Sequence, residues 1–158
     1  MRTLAAEISL KIPDNTADTA LATLVRLGIA LGAVRRADVW QFTVDERVPA
    51  DEFLERVARI ETIFNVNKHA IALVEAEGPG TGEVWIGEID ESIPADGGEL
   101  MRQFGEGVTS VRHRTAWRLL DRGQQRAPAA VVRRAAQALL CNPAFQKATL
   151  PADAKGLE

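Results

Sequence analysis

Residues 28–65 read GIALGAVRRADVWQFTVDERVPADEFLERVARIETIFN, and residues 105–142 repeat this stretch at an offset of 77 positions. Eight of the 38 positions are identical in the two copies. The identical pairs are Gly28/Gly105, Val34/Val111, Arg35/Arg112, Trp40/Trp117, Ala50/Ala127, Arg56/Arg133, Ala58/Ala135 and Asn65/Asn142. We interpret the chain as a tandem repeat, with chance similarity between two α+β stretches as the alternative.

Repeat 1 is predicted to run strand, helix, strand, helix, strand. Residues 7–12 and 39–44 alternate polar and apolar side chains, as half-buried strands do. A helix with one apolar stripe is expected from about Ala50. Residues 69–74 are apolar enough for a closing strand.

Repeat 2 is predicted to follow the same order. A strand over residues 83–89 precedes a helix that ends near Gly105, and a second strand is expected over 111–120. Pro128 fits the first turn of the last helix, because its missing N–H has no partner there in any case.

The segment Gly78-Pro-Gly-Thr-Gly82 has the composition of a linker. We therefore expect repeat 1 over residues 1–77, the linker over 78–82, repeat 2 over 83–150 and a flexible tail over 151–158. The predicted fold class is α+β, with a small antiparallel sheet in each repeat and two helices on one sheet face. Each repeat would bury its apolar sheet face against the other, so that the two pack as a pseudo-dimer.

Composition excludes several classes of protein. The chain has 158 residues, of which 46% are hydrophobic and 26% charged, as in ordinary globular domains. Its one cysteine, Cys141, rules out an intrachain disulfide and a cysteine-rich zinc site. No apolar run is long enough for a transmembrane helix, and the N-terminal apolar stretch is too short for a signal peptide. The expected location is the cytoplasm.

The residues that carry out catalysis in other proteins are scattered here. His69 and His113 lie at unrelated repeat positions, and Cys141 has no histidine or acidic partner nearby in sequence. We therefore expect no catalytic, cofactor-binding or metal-binding residues, and a protein that binds or assembles rather than one that catalyses. The arginines over residues 102–134 are interpreted as solvated faces, with nucleic-acid binding as the weaker alternative.

Three stretches resemble the PurS family. Ala138-Leu-Leu-Cys-Asn-Pro-Ala-Phe145 is similar to the end of the family's last helix and the strand after it. Thr19-Ala-Leu-Ala-Thr-Leu-Val-Arg-Leu-Gly28 looks like its first helix and the glycine that ends it. Asp38-Val-Trp-Gln-Phe-Thr-Val-Asp-Glu46 looks like its central strand and acidic turn. Each repeat has about the length of one PurS chain, so the resemblance covers the sequence twice.

The resemblance implies a function. PurS is the small subunit of phosphoribosylformylglycinamidine synthase in purine synthesis. It has no active site and holds together the PurL-type synthetase and PurQ-type glutaminase subunits of that ATP-dependent amidotransferase. This chain is therefore expected to be a non-catalytic assembly subunit with those two partners and no cofactor. A homodimer of the tandem chain is a further expectation.

The chain also departs from the family. Many members carry Val-Arg-x-Gly-Lys before the central strand, whereas the segments here are Val34-Arg-Arg-Ala-Asp38 and Val111-Arg-His-Arg-Thr115. A PurS paralogue with another protein partner is thus one alternative. A second is a regulatory α+β protein that binds a small molecule between the repeats, with Arg35 and Arg112 on an anion.

Positions kept in both repeats are the candidate functional residues. The candidate interface or anion contacts are Arg35, Arg112, Asn65, Asn142 and Pro143. The residues expected to pack the repeats are Trp40, Trp117, Gly28 and Gly105. For the arginines and asparagines, backbone capping and strand-edge charge remain alternative explanations.

Overall fold

A computed structural model describes residues 1–75, 77–90 and 96–152 of the chain. The described elements alternate between strands and helices, and the last helix continues directly into a π-helix. In chain order they are β1 (Arg2–Leu10), α1 (Asn15–Arg26), β2 (Ala33–Val44), α2 (Ala50–Ala58), β3 (His69–Val74), β4 (Glu83–Glu88), α3 (Gly97–Phe104), β5 (Val108–Leu120), α4 (Ala129–Ala135), the π-helix (Ala136–Leu140) and β6 (Gln146–Thr149).

The six strands form one sheet in the order β3-β1-β2-β5-β4-β6. Antiparallel registers join β1 to β2 and β3, and β4 to β5 and β6. The α+β class predicted from the sequence is confirmed. The sequence predicts a separate small sheet in each repeat, and this prediction is wrong. All six strands are hydrogen-bonded into one sheet, in which β2 and β5 are neighbours at the centre.

The chain divides into two compact units that do not follow the order of the sequence. Unit 1 comprises residues 1–12, 37–77 and 91–114, and unit 2 comprises 13–36, 78–90 and 115–158. The predicted limits of the repeats come from the sequence similarity of two segments, whereas the two units are defined by contacts in the structure. The repeat limits therefore stay a prediction. Residues 153–158 of the predicted flexible tail lie outside the described residues, whereas Pro151 is buried.

Unit 1 has its own apolar core. Three phenylalanines form its centre, with ring centroids 5.5 Å apart for Phe42 and Phe53, 5.0 Å for Phe42 and Phe104, and 5.9 Å for Phe53 and Phe104. Phe42 belongs to β2 and Phe53 to α2, both in repeat 1, whereas Phe104 belongs to α3 in repeat 2. The core of unit 1 therefore includes a helix from the second repeat.

Unit 2 has a second core, in which repeat 2 supplies strands and repeat 1 supplies a helix. Its strand β4, the second part of β5 from Thr115 onward and helix α4 come from repeat 2, and the core includes Val84, Trp117 and Val132. Against them pack Ala17 and Leu24 of α1, a helix of repeat 1. Each core is thus completed by the first helix of the other repeat.

Most predicted elements are present. The segments 39–44 and 69–74 are strands, a helix starts at Ala50, and another starts after Pro128. The π-helix at Ala136–Leu140 was not predicted, and its Cys141 N–H donates to the Ala136 carbonyl oxygen over 3.0 Å. In the described part of the chain, no helix is both long and apolar enough to cross a membrane.

Candidate functional site: two asparagine turns and two tryptophan contacts

Asn65, a predicted interface residue, forms a tight turn before β3. Its side-chain oxygen accepts a hydrogen bond from the Asn67 N–H over 2.9 Å. Its carbonyl oxygen accepts from the N–H groups of Lys68 and His69, over 3.0 and 2.8 Å. Its own N–H donates to Nδ1 of His69 over 3.0 Å. The side chain four residues on therefore returns to the asparagine and closes the turn.

Asn142 forms the same turn before β6. Its side-chain oxygen accepts from the Ala144 N–H over 3.0 Å, and its carbonyl oxygen accepts from the N–H groups of Phe145 and Gln146. Its own N–H donates to Oε1 of Gln146 over 2.9 Å. Pro143 is exposed at the tip of this turn. These contacts explain both asparagines as turn residues, and their role in an interface stays a prediction.

Beside each turn a cross-strand pair is exposed, and the two pairs differ in chemistry. In unit 1 the Lys11 N–H donates to the Lys68 carbonyl oxygen over 2.8 Å, and both side chains are exposed. In unit 2 the Ile89 N–H donates to the Phe145 carbonyl oxygen over 3.1 Å. The exposed fractions are 51% for Ile89 and 53% for Phe145. A pair of lysines in repeat 1 thus stands where repeat 2 has an apolar pair.

The two tryptophans predicted to pack the repeats each contact a side chain of the other repeat. The Arg36 guanidinium lies 5.9 Å from the ring centroid of Trp117, within the range of a cation–π contact. The rings of Trp40 and His113 have centroids 4.5 Å apart. Adding the 77-residue offset to Arg36 gives His113, and adding it to Trp40 gives Trp117. The two contacts therefore join the same two positions of the repeat. In one contact the tryptophan comes from repeat 2, and in the other it comes from repeat 1.

Acidic residues hold the side chains that meet these tryptophans. Arg36 donates from Nε and Nη2 to the two carboxylate oxygens of Asp14, each over 3.1 Å. His113 Nε2 lies 2.8 Å from Asp38 Oδ1. Fixed in this way, Arg36 and His113 keep the positions from which they contact the indole rings.

Gly28 and Gly105 end α1 and α3, and both have a left-handed backbone, with φ of 88° and 104°. A Cβ atom added at either glycine would meet no atom within 4 Å. The requirement for glycine is therefore conformational, because L side chains are strained at such φ values. Close approach between the repeats does not explain these two residues.

Arg35 and Arg112, the predicted anion contacts, are exposed on β2 and β5. Arg35 belongs to unit 2 and Arg112 to unit 1. A joint role on one anion stays a prediction.

A partly buried ion pair in unit 2, in which Glu83 is the buried partner, was not predicted from the sequence. Arg118 donates from Nε and Nη2 to Oε2 of Glu83, and the Trp85 indole N–H donates to Oε1 of Glu83 over 2.7 Å. Glu83 and Arg118 are opposite each other in the register of β4 and β5. Trp85, the third tryptophan, thus supplies a hydrogen bond to the buried Glu83 carboxylate and does not line an open surface.

Three titratable groups in the described part of the chain have shifted pKa values, and one of them is Arg47, whose pKa is raised by its hydrogen bond to Asp45. Hydrogen bonds from the Arg47 side chain and N–H lower the pKa of Asp45 to about 2. Burial raises the pKa of the Cys141 thiol, which lowers the fraction of reactive thiolate at neutral pH. Within residues 1–75, 77–90 and 96–152, no group of three or more His, Cys, Asp or Glu side chains is arranged to hold a metal ion.

Comparisons with known proteins give no relative. No protein-family model matches the chain. No curated protein is significantly similar to it. The resemblance to PurS therefore rests on the residues quoted in the sequence analysis and stays a prediction.

Proposed function

We propose that the chain is a tandem PurS-like pseudo-dimer that acts as a non-catalytic assembly subunit. Its partners would be a PurL-type synthetase and a PurQ-type glutaminase. The chain would hold these two subunits together and contribute no catalytic group of its own.

The reciprocal tryptophan contacts are the observation that carries the proposal. In a two-fold dimer, residue i of one subunit contacts residue j of the other, and residue j of the first contacts residue i of the second. Arg36 with Trp117 and His113 with Trp40 follow this rule once the second repeat is numbered as the first. Such reciprocity supports two copies of one dimer-forming unit joined in a single chain.

The exchange of helices supports the same interpretation. Phe104 of α3 packs in the core built from repeat 1, and Leu24 of α1 packs in the core built from repeat 2. A single repeat would lack this apolar cover for its sheet. Joining two such units by a short linker makes their association intramolecular, at a high effective concentration.

The difference between the exposed pairs supports two distinct partners. The Lys11–Lys68 pair favours an acidic surface, because opposite charges attract across an interface. The Ile89–Phe145 pair favours an apolar recess, since an exposed aromatic residue is a frequent anchor in protein interfaces. A chain that bridges two different subunits needs two such unlike surfaces.

The proposal is tested by light-scattering chromatography of the full chain mixed with the two subunits from its own genome, with ATP and glutamine present. We expect one co-eluting complex with a defined stoichiometry. Elution of the chain alone, with both partners unaffected, would refute the purine role. Two interpretations would then remain. One is a PurS paralogue with another partner, supported by the missing Gly-Lys in the segment after Val34-Arg35, and the other is a regulatory α+β protein that binds a small molecule.

The surfaces are tested by exchanging their chemistry. Ile89→Lys with Phe145→Lys copies the repeat 1 pair into repeat 2, and both positions are exposed. We expect this variant to lose one partner and to retain the other. Val25→Lys is the matched control, because Val25 is 42% exposed on α1 and belongs to neither pair. Equal loss of both partners in the control would show a non-specific effect of added charge.

A further inference from the structure

A groove in unit 2 has the size of a small-molecule site. It lies between α1 and the π-helix, beside Trp117, and its volume is about 430 Å³. Ligand sites in proteins commonly have volumes of some hundreds of cubic ångströms. All its lining residues belong to unit 2, with α1 supplied by repeat 1 and Trp117 and the π-helix by repeat 2. Arg35 and Arg112, the anion contacts expected between the repeats, do not line it.

One wall of the groove is a row of hydroxyl groups on α1. Thr16, Thr19 and Thr23 follow one another at spacings of three and four residues, which places them on one helix face. The Thr23 hydroxyl donates to the Thr19 carbonyl oxygen over 2.9 Å, so its lone pairs remain as acceptors. Among the described residues, the hydroxyls of Thr16 and Thr19 make no hydrogen bond. This wall therefore offers both donors and acceptors to a ligand.

The opposite wall is apolar and is formed by the π-helix. Leu139 and Leu140 line the groove, Leu140 is buried, and Leu139 is 40% exposed. A π-turn inserts an extra residue into a helix and is frequent at functional sites. Repeat 1 has a turn and loop over residues 59–64 in place of this π-helix, so the wall is specific to repeat 2.

Asp14 and Arg36, two charged residues near the groove, are paired with each other. Asp14 caps α1 by accepting from the N–H groups of Thr16 and Ala17 over 3.1 and 3.2 Å. Arg36 in turn binds both oxygens of that carboxylate and lies over Trp117. None of the described residues that line the groove carries a charged side chain. An ionised ligand would thus lose hydration without gaining an ionic partner, which disfavours it.

We propose that this groove binds a small uncharged ligand with a planar apolar ring and one hydrogen-bonding edge. The ring packs against Leu139, Leu140 and the edge of Trp117, and the polar edge meets the hydroxyls of Thr16 and Thr19. This activity is independent of the proposed assembly role, since it uses neither exposed pair.

The test uses three probes that share one ring and differ in charge: benzamide, benzoate and benzylammonium. Each is titrated into the ¹⁵N-labelled full chain, and amide chemical shifts are followed by NMR. We expect benzamide to shift the amides of Thr16, Thr19 and Leu139 saturably. Both charged probes should bind about tenfold more weakly or worse, because no partner repays their lost hydration.

Two variants locate the site. Leu139→Trp fills the groove from an exposed position and should abolish the benzamide shifts. Thr19→Val keeps the shape of the side chain, removes its hydroxyl and should weaken binding by about two- to tenfold. Leu27→Ala is the control, because Leu27 is exposed on the chain just after α1 and does not line the groove.

Three results would overturn the inference. The first is no saturable benzamide shift in these amides. The second is stronger binding of benzoate or benzylammonium than of benzamide. The third is unchanged binding in the Leu139→Trp variant.

Discussion

The backbone N–H of each turn asparagine, Asn65 and Asn142, donates a hydrogen bond to an acceptor on the side chain four residues later. His69 Nδ1 has this role for Asn65, and Gln146 Oε1 has it for Asn142. Because a glutamine satisfies the turn in repeat 2, His69→Gln should keep the free energy of unfolding unchanged. His69→Leu leaves the Asn65 N–H to water, and we expect a loss of about 0.5–1 kcal/mol, measured by urea unfolding. An equal loss in both variants would contradict the shared turn.

Asp45 gives the chain a dependence of stability on acid. Its carboxylate accepts from the Arg47 side chain over 3.1 and 3.0 Å, and its pKa is lowered to about 2. A depressed pKa stabilises the folded state above the ordinary value near 3.8, and this effect is lost as the pH falls towards 2.

Asp45→Asn removes this effect and keeps the size of the side chain. The difference in Tm between the wild type and the variant should be constant above about pH 5 and should shrink between about pH 4 and pH 2. A difference that stays constant over the whole range would show that the ion pair does not contribute to stability.

Residue-level predictions from the sequence succeed where one side chain decides the backbone. Gly28 and Gly105 are both helix ends, as their position after an apolar stripe indicates. Burial was harder to assign. Leu27 and Phe104 are equivalent at the 77-residue offset, yet Leu27 is 53% exposed and Phe104 only 3%. Leu27 follows the end of α1 whereas Phe104 still belongs to α3, so the two helices present different positions to their cores.

At the scale of elements, hydrophobic periodicity predicted most strands and helices. The alternation over residues 39–44 and the apolar run over 69–74 mark real strands. The π-helix was not predictable, because a π-turn arises from how a helix meets its neighbours and leaves no periodic signal. The groove beside Trp117 depends on that turn and was missed for the same reason.

The helix ends provide a test with an internal control. Gly28→Ala and Gly105→Ala place a Cβ on a left-handed backbone, and each should cost about 1 kcal/mol of unfolding free energy. Gly98→Ala lies inside α3, where a Cβ meets no atom within 4 Å. It should stabilise the chain by about 0.5–1 kcal/mol, since alanine restricts the unfolded state. Thermal unfolding of the three variants measures both signs, and a stabilising Gly28→Ala would contradict the helix-end role.

At the scale of the whole molecule, the sequence predicts a repeat but does not predict which helix covers which core. A repeat shows that two segments share a structure, and it does not say which copy of a helix covers which copy of a sheet. Leu24 and Phe104 carry the same apolar signal whichever core they enter. Only tertiary packing decides that choice.

The exchange predicts the behaviour of a divided chain. A break within the linker 78–82 separates the repeats, and each fragment then lacks the helix that completes its core. Neither fragment alone should give the dispersed NMR spectrum of a folded monomer, whereas an equimolar mixture should recover the spectrum of the intact chain. A folded, monomeric fragment 1–77 would contradict the exchange.

The interleaved units also set an order of events during synthesis. Helix α1 leaves the ribosome before the elements that follow it in the chain, yet the core that buries Leu24 also needs Trp117 and Val132. About a hundred residues must be translated in between, which takes roughly 5–20 s at ordinary elongation rates. During that interval the apolar face of α1 lacks the partners that β4, β5 and α4 supply, and only the short segment with Ile29, Leu31 and Val34 is available to it. The nascent chain therefore exposes the apolar face of α1 to chaperones for longer than a chain in which each helix packs against its sequence neighbours.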